Sequence, residues 1–556
     1  MSSLALTLKK HVALRTNFRY SRKLSKTLAT LSSNTEIFSA QKQPKQQQEK
    51  LSPFLNIKEA LENVYDVIIV GGGITGLALA NALATCHKTK LQKIALIESS
   101  NFSHIRGWKN DHDNANERYS NRVSSITPGS VRFLKEIGVW QKLDHTRVKP
   151  YQYMVVWDGV SDAQIFFDSE IISRSLSSLP FFLRQLDKKK DADDSDSIAW
   201  IIENSNIQHG LLSNLDHLQN KNHGKISIFD NKKVERIVSE NNNDTRAHEF
   251  FDLSEWPIVE LDDGQKLRAR LLIGADGINS PVRSFANIET LGWDYNSHAV
   301  VATLNIDSTT HDNVNNTAWQ RFLPTGPIAM LPLHSRVSSM VWSTTPQLAV
   351  KIRQMPPDQF VELVNGAFRL GIADLNYLYK IIENSSGTSD YDIGDEMRWR
   401  ESVNTNKASS PVPPRVVGVQ EKSRASFPLR MRNAECYVKN RVVLIGDAAH
   451  VIHPLAGQGL NQGIADVECL ARVIERGVIN GQDIGDVNSI QEYASKRYIK
   501  NLMMIGAVDK LHKLFSTDLT PIVWMRSLGL RMVNGLEPVK AEIMKFAMGM
   551  EHQSTD

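Results

Sequence analysis

An α/β protein, in which a nucleotide-binding domain is interleaved with an antiparallel-sheet domain and finished by C-terminal helices, is predicted by three stretches of this 556-residue sequence. The first runs Asp66-Val67-Ile68-Ile69-Val70-Gly71-Gly72-Gly73-Ile74-Thr75-Gly76-Leu77-Ala78: apolar residues enter a glycine turn and leave it with helical spacing. The second is residues 298–345, where apolar and polar residues alternate as in antiparallel strands. The third, from Ile490 to Met550, repeats apolar residues at helical intervals.

The glycine turn carries the most chemistry. Gly71, Gly73 and Gly76 have the spacing of a Rossmann-like dinucleotide fingerprint. One glycine makes the tight turn, one lets the backbone approach a pyrophosphate, and one packs the helix on the strand. The pyrophosphate then meets free N–H groups at a helix N-terminus. A second strand, Lys93 to Ile97, ends in Glu98, 22 residues beyond Gly76 and placed to bond a ribose hydroxyl. Such glycine turns are common by themselves. Strand, helix and acid in register make this one a dinucleotide site, without saying which dinucleotide it takes.

Ahead of this unit, Lys9, Lys10, Arg15, Arg19, Arg22, Lys23 and Lys26 stand among Ser, Thr and Leu with no acid before Glu36. That is the composition of a mitochondrial transit peptide; the bland alternative is a basic arm that binds anions. The Gln/Lys-rich run to Lys50 reads as a solvated linker. Overall charge is only +4 and charged residues make up 23% of the chain, so a nucleic-acid partner is not indicated. Cys86, Cys436 and Cys469 are widely separated, without metal-ligand or disulfide-framework spacing, so no metal is expected. No apolar run reaches the 18 residues of a membrane span, which leaves peripheral contact as the expected form of any membrane association.

After the first unit, residues 118–138 read as a loop and a short helix starting at Thr127-Pro128, with Val131, Leu134 and Ile137 along one face. Arg122 enters this loop either as a phosphate contact or as a surface arginine. Residues 151–168 read as paired strands turning at Asp158-Gly159. The charge run from Asp187 to Ser197 and the polar loop from Ser239 to Trp256 read as solvated insertions. Between them, Gln208 lies in a helical pattern around residues 207–212. Ile258 to Leu272 reads as a hairpin leading into Gly274-Ala275-Asp276-Gly277, a strand ending in an Asp-Gly turn. In the alternating block Pro332 marks an edge or a strand end. A helical segment near 357–383 follows.

The late stretch Arg441-Val442-Val443-Leu444-Ile445-Gly446-Asp447 delivers an aspartate at the C-terminal end of a parallel-type strand, where open α/β sheets bind ligands. Asp447 suits a ribose or ribityl hydroxyl. His450, His453 and Pro454 follow; the histidines either orient loop backbone or transfer protons. Gly457 and Gly459 free backbone N–H groups to lie against a flat ring, and a helix from about Asn461 to Glu475 brings its positive end to the same place. At the C-terminus, Tyr498, Leu502, Ile505, Val508 and Leu511 share a face expected to pack on the core. The alternative is that part of the tail, around Trp524-Met525-Arg526 and Leu528 to Met532, lies on a bilayer.

Three elements in order, GGGITG, GADGINSPVR and GDAAHVIHPLAGQGLNQGI, resemble the flavin-dependent aromatic monooxygenases of the para-hydroxybenzoate hydroxylase type. The segment Arg424-Ala425-Ser426-Phe427-Pro428-Leu429 with the HPLAGQGLNQG run is similar to the ubiquinone-biosynthesis hydroxylase branch. The resemblance spans about residues 64 to 550 and implies FAD as the cofactor. By motif position it implies FAD contacts at Gly71, Gly73, Gly76, Glu98, Arg122, Gln208, Asp276, Gly446, Asp447, Pro454, Gly457, Gly459 and Asn461.

It implies, too, hydroxylation of a polyprenylated phenol or hydroxybenzoate by O2 through a C4a-hydroperoxide of reduced FAD, at ring carbon C5. Implied partners are ferredoxin and its reductase as electron donor and other coenzyme Q biosynthesis proteins. The implied location is the mitochondrial matrix, peripheral to the inner membrane. No catalytic side chain is assigned. Related readings are an FAD-dependent lipid reductase or epoxidase, and a non-redox prenyl-binding protein, which would have lost glycines that are present here. The expected segments are residues 1–50 for targeting and linker; 60–148, 198–290 and 425–478 for the FAD domain; 149–190 and 291–424 for the substrate domain; and 479–550 for the helices.

Overall fold

In a computed structural model, the described residues are 62–112, 118–171, 197–221, 225–239, 253–307, 315–384, 393–403 and 411–549. The N-terminal basic segment, the charge run up to Asp196 and most of the polar loop after Ser239 lie outside them.

The strand Val64–Val70 is apolar almost throughout because it is covered on both faces. It pairs in parallel with Lys266–Gly274 on one side and Ile94–Ile97 on the other. Val442–Leu444 and Ile226–Phe229 extend the parallel array outward. Thus the central strand and its neighbours come from segments nearly 400 residues apart. The helix Ile74–Thr85 follows the glycine turn and is buried on nearly every side, which accounts for its Ala/Leu composition. Its one polar inward side chain, Asn81, donates to the carbonyls of Leu77 and Leu211 and accepts from Asn214. The helices Asn204–Lys221 and Gly459–Ile479 pack against it.

The second sheet has nine strands, with Thr290–Ile306 the longest and Val337–Thr344, Ile328–His334, Thr317–Phe322, Tyr153–Asp158 and Gln164–Asp168 following outward in that order. Away from its register shifts, its strands alternate. Trp319, Met330, Met340 and Trp342 face a core formed with four helices, Pro346–Gln354, Pro357–Arg369, Ile372–Asn384 and Ile393–Val403. Their neighbours Ala318, Gln320, Ala329, Leu331, Val341 and Ser343 face the opposite way, into a cavity. Pro332 lies beyond the last pair made with Thr317–Phe322 and next to a register shift, so its missing N–H breaks no ladder bond there.

Four expectations are corrected. Residues 123–126, expected as loop, form the strand Val123–Ile126, which pairs with Ala199–Glu203 in a separate three-stranded sheet. Four residues are too few to show alternation. The strand Ala425–Ala434, expected to open the third FAD segment, pairs instead with Thr290–Ile306 in the nine-stranded sheet. The C-terminal face divides: on the helix Val487–Phe515, Ile505 and Val508 are buried, whereas Leu502 and Leu511 are exposed. Arg526, part of the stretch that the alternative reading lays on a bilayer, is fully buried in the helix Thr520–Gly535 and grips Asp158 through two bonds of 2.9 Å. A planar fork matched to a carboxylate at a strand end explains why a basic residue sits inside. Removing one partner of such a pair leaves a buried unpaired charge, at a cost of about 3–5 kcal/mol. Among the described residues, no helix is long and apolar enough to cross a membrane.

Candidate active site

At the end of Val64–Val70 the chain turns in the left-handed region, with Gly71 at φ +107°. A Cβ there would lie 2.3 Å from the Ala275 carbonyl oxygen, and one on Gly76 would lie 1.9 Å from that of Gly71. Any side chain at either position therefore forces the turn apart. Gly73 caps the helix without a side-chain bond and has open space where its Cβ would stand, leaving the first-turn N–H groups facing the cavity. Glu98 accepts from Gly72 N at 2.6 Å and from Ser100 N at 2.7 Å, so it ties the glycine turn to the end of the second strand.

The middle turn is braced differently. Asp276 accepts from Val282 N at 3.2 Å, while its other oxygen is buried with no partner among the described residues. Burial raises its pKa. Arg283 reaches across from this turn, donating to the carbonyls of Ile278 and Ala448 at 2.6 and 2.8 Å. It thereby joins the second motif to the third.

In the third motif Gly446, at φ +58°, sits against Thr75 of the first helix, which a Cβ would approach to 3.0 Å. Gly446 N donates to Asp466, a fully buried carboxylate that also takes bonds from His450 at 2.5 Å, Arg497 at 2.8 Å and Asn501 at 3.0 Å. Burial pushes this carboxyl's pKa up, but His450 and Arg497 outweigh it and hold the group well below the ordinary carboxylate range. Asp447 opens onto the cavity, and the protein around it raises its pKa.

Beyond it, His453 accepts from Leu455 N at 3.1 Å and starts a short turn, Pro454–Ala456, closed by Gly457 at φ +59°. Asn461 lies behind this loop. It accepts from Ser130 and Thr127 N and donates to the carbonyls of Ser125 and Gly457.

These elements enclose a cavity of about 970 Å³. Gly73, Arg122, Gln208, Gly446, Asp447, Pro454, Gly457 and Gly459 line one side, and the alternate residues of the nine-stranded sheet line the other. The remaining sequence candidates, Gly71, Gly76, Glu98, Asp276 and Asn461, are not among the lining residues; Gly71, Gly76 and Asp276 shape the turns, Asn461 braces the Gly457 loop, and Glu98 is partly exposed beside the glycine turn. Ser125 and Tyr151, which no motif marks, line the cavity too, as does Thr75, a position inside the GGGITG motif that was not singled out. Asp466 and Arg497 were missed because their partners lie 16 to 31 residues away. Among the described residues, no cluster of His, Cys, Asp or Glu could hold a metal ion.

The family model described as "FAD binding domain" matches residues 64–386 and 387–498. The ubiquinone biosynthesis monooxygenase COQ6, mitochondrial, of Xenopus tropicalis is 40% identical over 486 residues, covering 87% of this chain and 93% of that protein. This chain belongs to the COQ6 family of FAD monooxygenases. The family's proteins from Saccharomyces cerevisiae and Homo sapiens are 37% and 36% identical, covering 89% and 87% of the chain and 96% and 93% of their own lengths. Its fold is shared with p-nitrophenol 4-monooxygenase PnpA of Pseudomonas putida, at TM-score 0.56 and 16% identity over 86% of this chain and 96% of that one. It is shared equally with PqsL, a probable FAD-dependent monooxygenase of Pseudomonas aeruginosa, at TM-score 0.54 and 17% identity over 84% and 99% of the two chains.

FAD is the family's cofactor, and the wall fits it. Two glycines stand where a Cβ would meet backbone, an uncapped helix start faces the cavity, and Asp447 opens onto the same space. Purified Asp447→Ala and Gly76→Val proteins are expected to be colourless, while substitutions in Lys188 to Lys190 leave the flavin spectrum intact; full FAD occupancy in either of the first two would refute this placement.

Asp466→Asn should lower stability by about 3–5 kcal/mol, since it strands the Arg497 charge. The depressed Asp466 pKa contributes stability above the unfolded value of about 3.9 and loses it as pH falls below. Urea titrations from pH 7 to 2 should therefore show a shallower acid-side decline in the variant.

Proposed function

We propose that this chain is a mitochondrial enzyme that hydroxylates the aromatic ring of a polyprenylated phenol or hydroxybenzoate, at ring carbon C5, on the way to ubiquinone. The observation that carries this reading is the single cavity shared by the glycine turn, the Asp447 turn and an apolar sheet face. In it, the uncapped helix start and Arg122 would hold the FAD phosphates, Asp447 and Gln208 its hydroxyl-bearing chain, and Pro454 to Gly459 its ring. When bound, FAD supplies the O2-activating chemistry.

The protein's own part is positioning and exclusion of water. Ala318, Ala329, Leu331 and Val341 give the ring-facing half a dry surface, and Gln320, Ser343 and Arg430 are polar groups from the same sheet that could orient a phenol. Met154 and Leu331 line the cavity and also pack against a cluster containing Ile165, Leu333, Met544 and Met548. This apolar continuity toward the C-terminal helices suits a prenyl tail.

The COQ6 relatives carry "mitochondrial" in their names, which supports that location together with the basic N-terminal composition. Peripheral binding to the inner membrane is supported by the C-terminal helices. Trp524, Met525, Leu528, Met532, Val539 and Ile543 are all exposed there, Trp524 and Met525 each at 67%. Arg531 is exposed on the same helix as Trp524, and Lys510 on the helix before it, an apolar and basic mixture that suits an interfacial helix. Electrons would come from ferredoxin and its reductase, and other coenzyme Q biosynthesis proteins would be neighbours at that membrane.

With 18O2 and a prenylated 4-hydroxybenzoate, one labelled oxygen is expected in the product; an unlabelled product, or an epoxide, would favour the lipid reductase or epoxidase reading. In flotation with vesicles containing anionic lipid, Trp524→Glu/Leu528→Glu protein should stay in the soluble fraction while the unaltered protein rises with the lipid.

A further inference from the structure

Directly behind the Pro454–Gly457 wall, three rings from distant parts of the chain meet. Tyr295 comes from the long strand Thr290–Ile306, His453 from the loop itself, and His512 from the helix Val487–Phe515. Ring centroids are 5.0 Å apart for Tyr295 and His453, 4.8 Å for Tyr295 and His512, and 4.8 Å for His453 and His512. Tyr295 reaches this place from an interruption in its strand, where the register shifts between Asp294 and His298 and Asn296 takes φ +51°. Its hydroxyl donates to Asp509 at 3.1 Å, and Lys513 holds the other oxygen of Asp509 at 3.0 Å. The same lysine lies over the Trp293 ring.

Simple packing does not account for these residue types. His453 Nδ1 accepts from Leu455 N, which fixes the proton on Nε2, yet Nε2 is buried with no partner among the described residues. His512 Nδ1 is buried in the same condition. An orphaned polar atom in the interior is unfavourable, and leucine or phenylalanine at either position would avoid it. What the imidazole of His453 adds is the bond to Leu455 N that sets the turn beginning at Pro454. Burial, with His512 beside it, pulls the His453 pKa down to about 3, so the ring stays neutral at physiological pH.

We propose that Tyr295, His453 and His512 act as positioning residues that set the Pro454–Gly457 loop against the flavin ring, with the helix Val487–Phe515 as their backing. The C-terminal helix is then a working part of the active site. This rests on reading the loop as the flavin-facing wall.

The test uses full-length FAD-loaded enzyme and the variants Tyr295→Phe, His512→Phe and His512→Ala. FAD content and thermal midpoint report structure; the visible flavin band and the hydroxylated product formed per O2 consumed report position. Tyr295→Phe and His512→Ala are expected to keep FAD but shift the flavin band and lower product per O2 by about tenfold, the scale of a sub-ångström misplacement. His512→Phe, which restores a ring, should recover part of that ratio. Unchanged spectrum and ratio in Tyr295→Phe and His512→Ala would overturn the proposal. So would loss of FAD in His512→Ala accompanied by normal values in Tyr295→Phe and His512→Phe. An unaltered protein that holds no flavin would instead overturn the underlying reading of the cavity.

Discussion

One buried carboxylate ties this structure together. Asp466 takes bonds from a backbone N–H of the Gly446 turn, from His450 two residues before Ile452, and from Arg497 and Asn501 on the C-terminal helix. A charge with no access to water is tolerable only while every partner is present. The turn that presents Asp447, the loop after it and the helix behind them therefore hold their places jointly. Arg283 extends the same logic to the middle turn by gripping the Ala448 carbonyl. The three motifs of the sequence are one hydrogen-bonded unit.

The division of labour between the two sheets follows from strand geometry alone. In the parallel sheet both faces are covered, so its strands are apolar throughout and only their ends are available to a ligand. In the nine-stranded sheet every second residue points to each face, which lets one strand serve a helical core through Trp319 and a reaction chamber through Ala318 and Gln320. The four added helices between residues 346 and 403 give the outer face something to bury against.

Local signals in the sequence were legible and distant ones were not. The glycine turn could be read because its requirement is steric and falls within six residues: no Cβ fits at Gly71 or Gly76. The turns at Gly446 and Gly457 carry a local signal as well, since both residues take left-handed φ values of +58° and +59°. The burial of Arg526 was not legible, since a lone arginine among apolar residues looks the same whether it faces water or a carboxylate 368 positions away. That the strand Ala425–Ala434 pairs with Thr290–Ile306 was not legible either, because pairing partners leave no mark on local sequence. Motif position gave Glu98 and Asn461 without giving their partners inside the protein, the N–H of Gly72 for the one and the carbonyl of Ser125 for the other.

The wide sequence separation between the first strand and the Asp466 cluster has a consequence for how the chain is made. The strand Val64–Val70 leaves the ribosome 433 residues before Arg497, an interval of about 20–90 s at 5–20 residues per second. Until then the cluster lacks its counter-charge. A chain terminated between Ile464 and Arg497 would carry every recognisable nucleotide motif and still lack the arginine that closes the cluster behind them, so late nonsense changes should be as damaging as early ones.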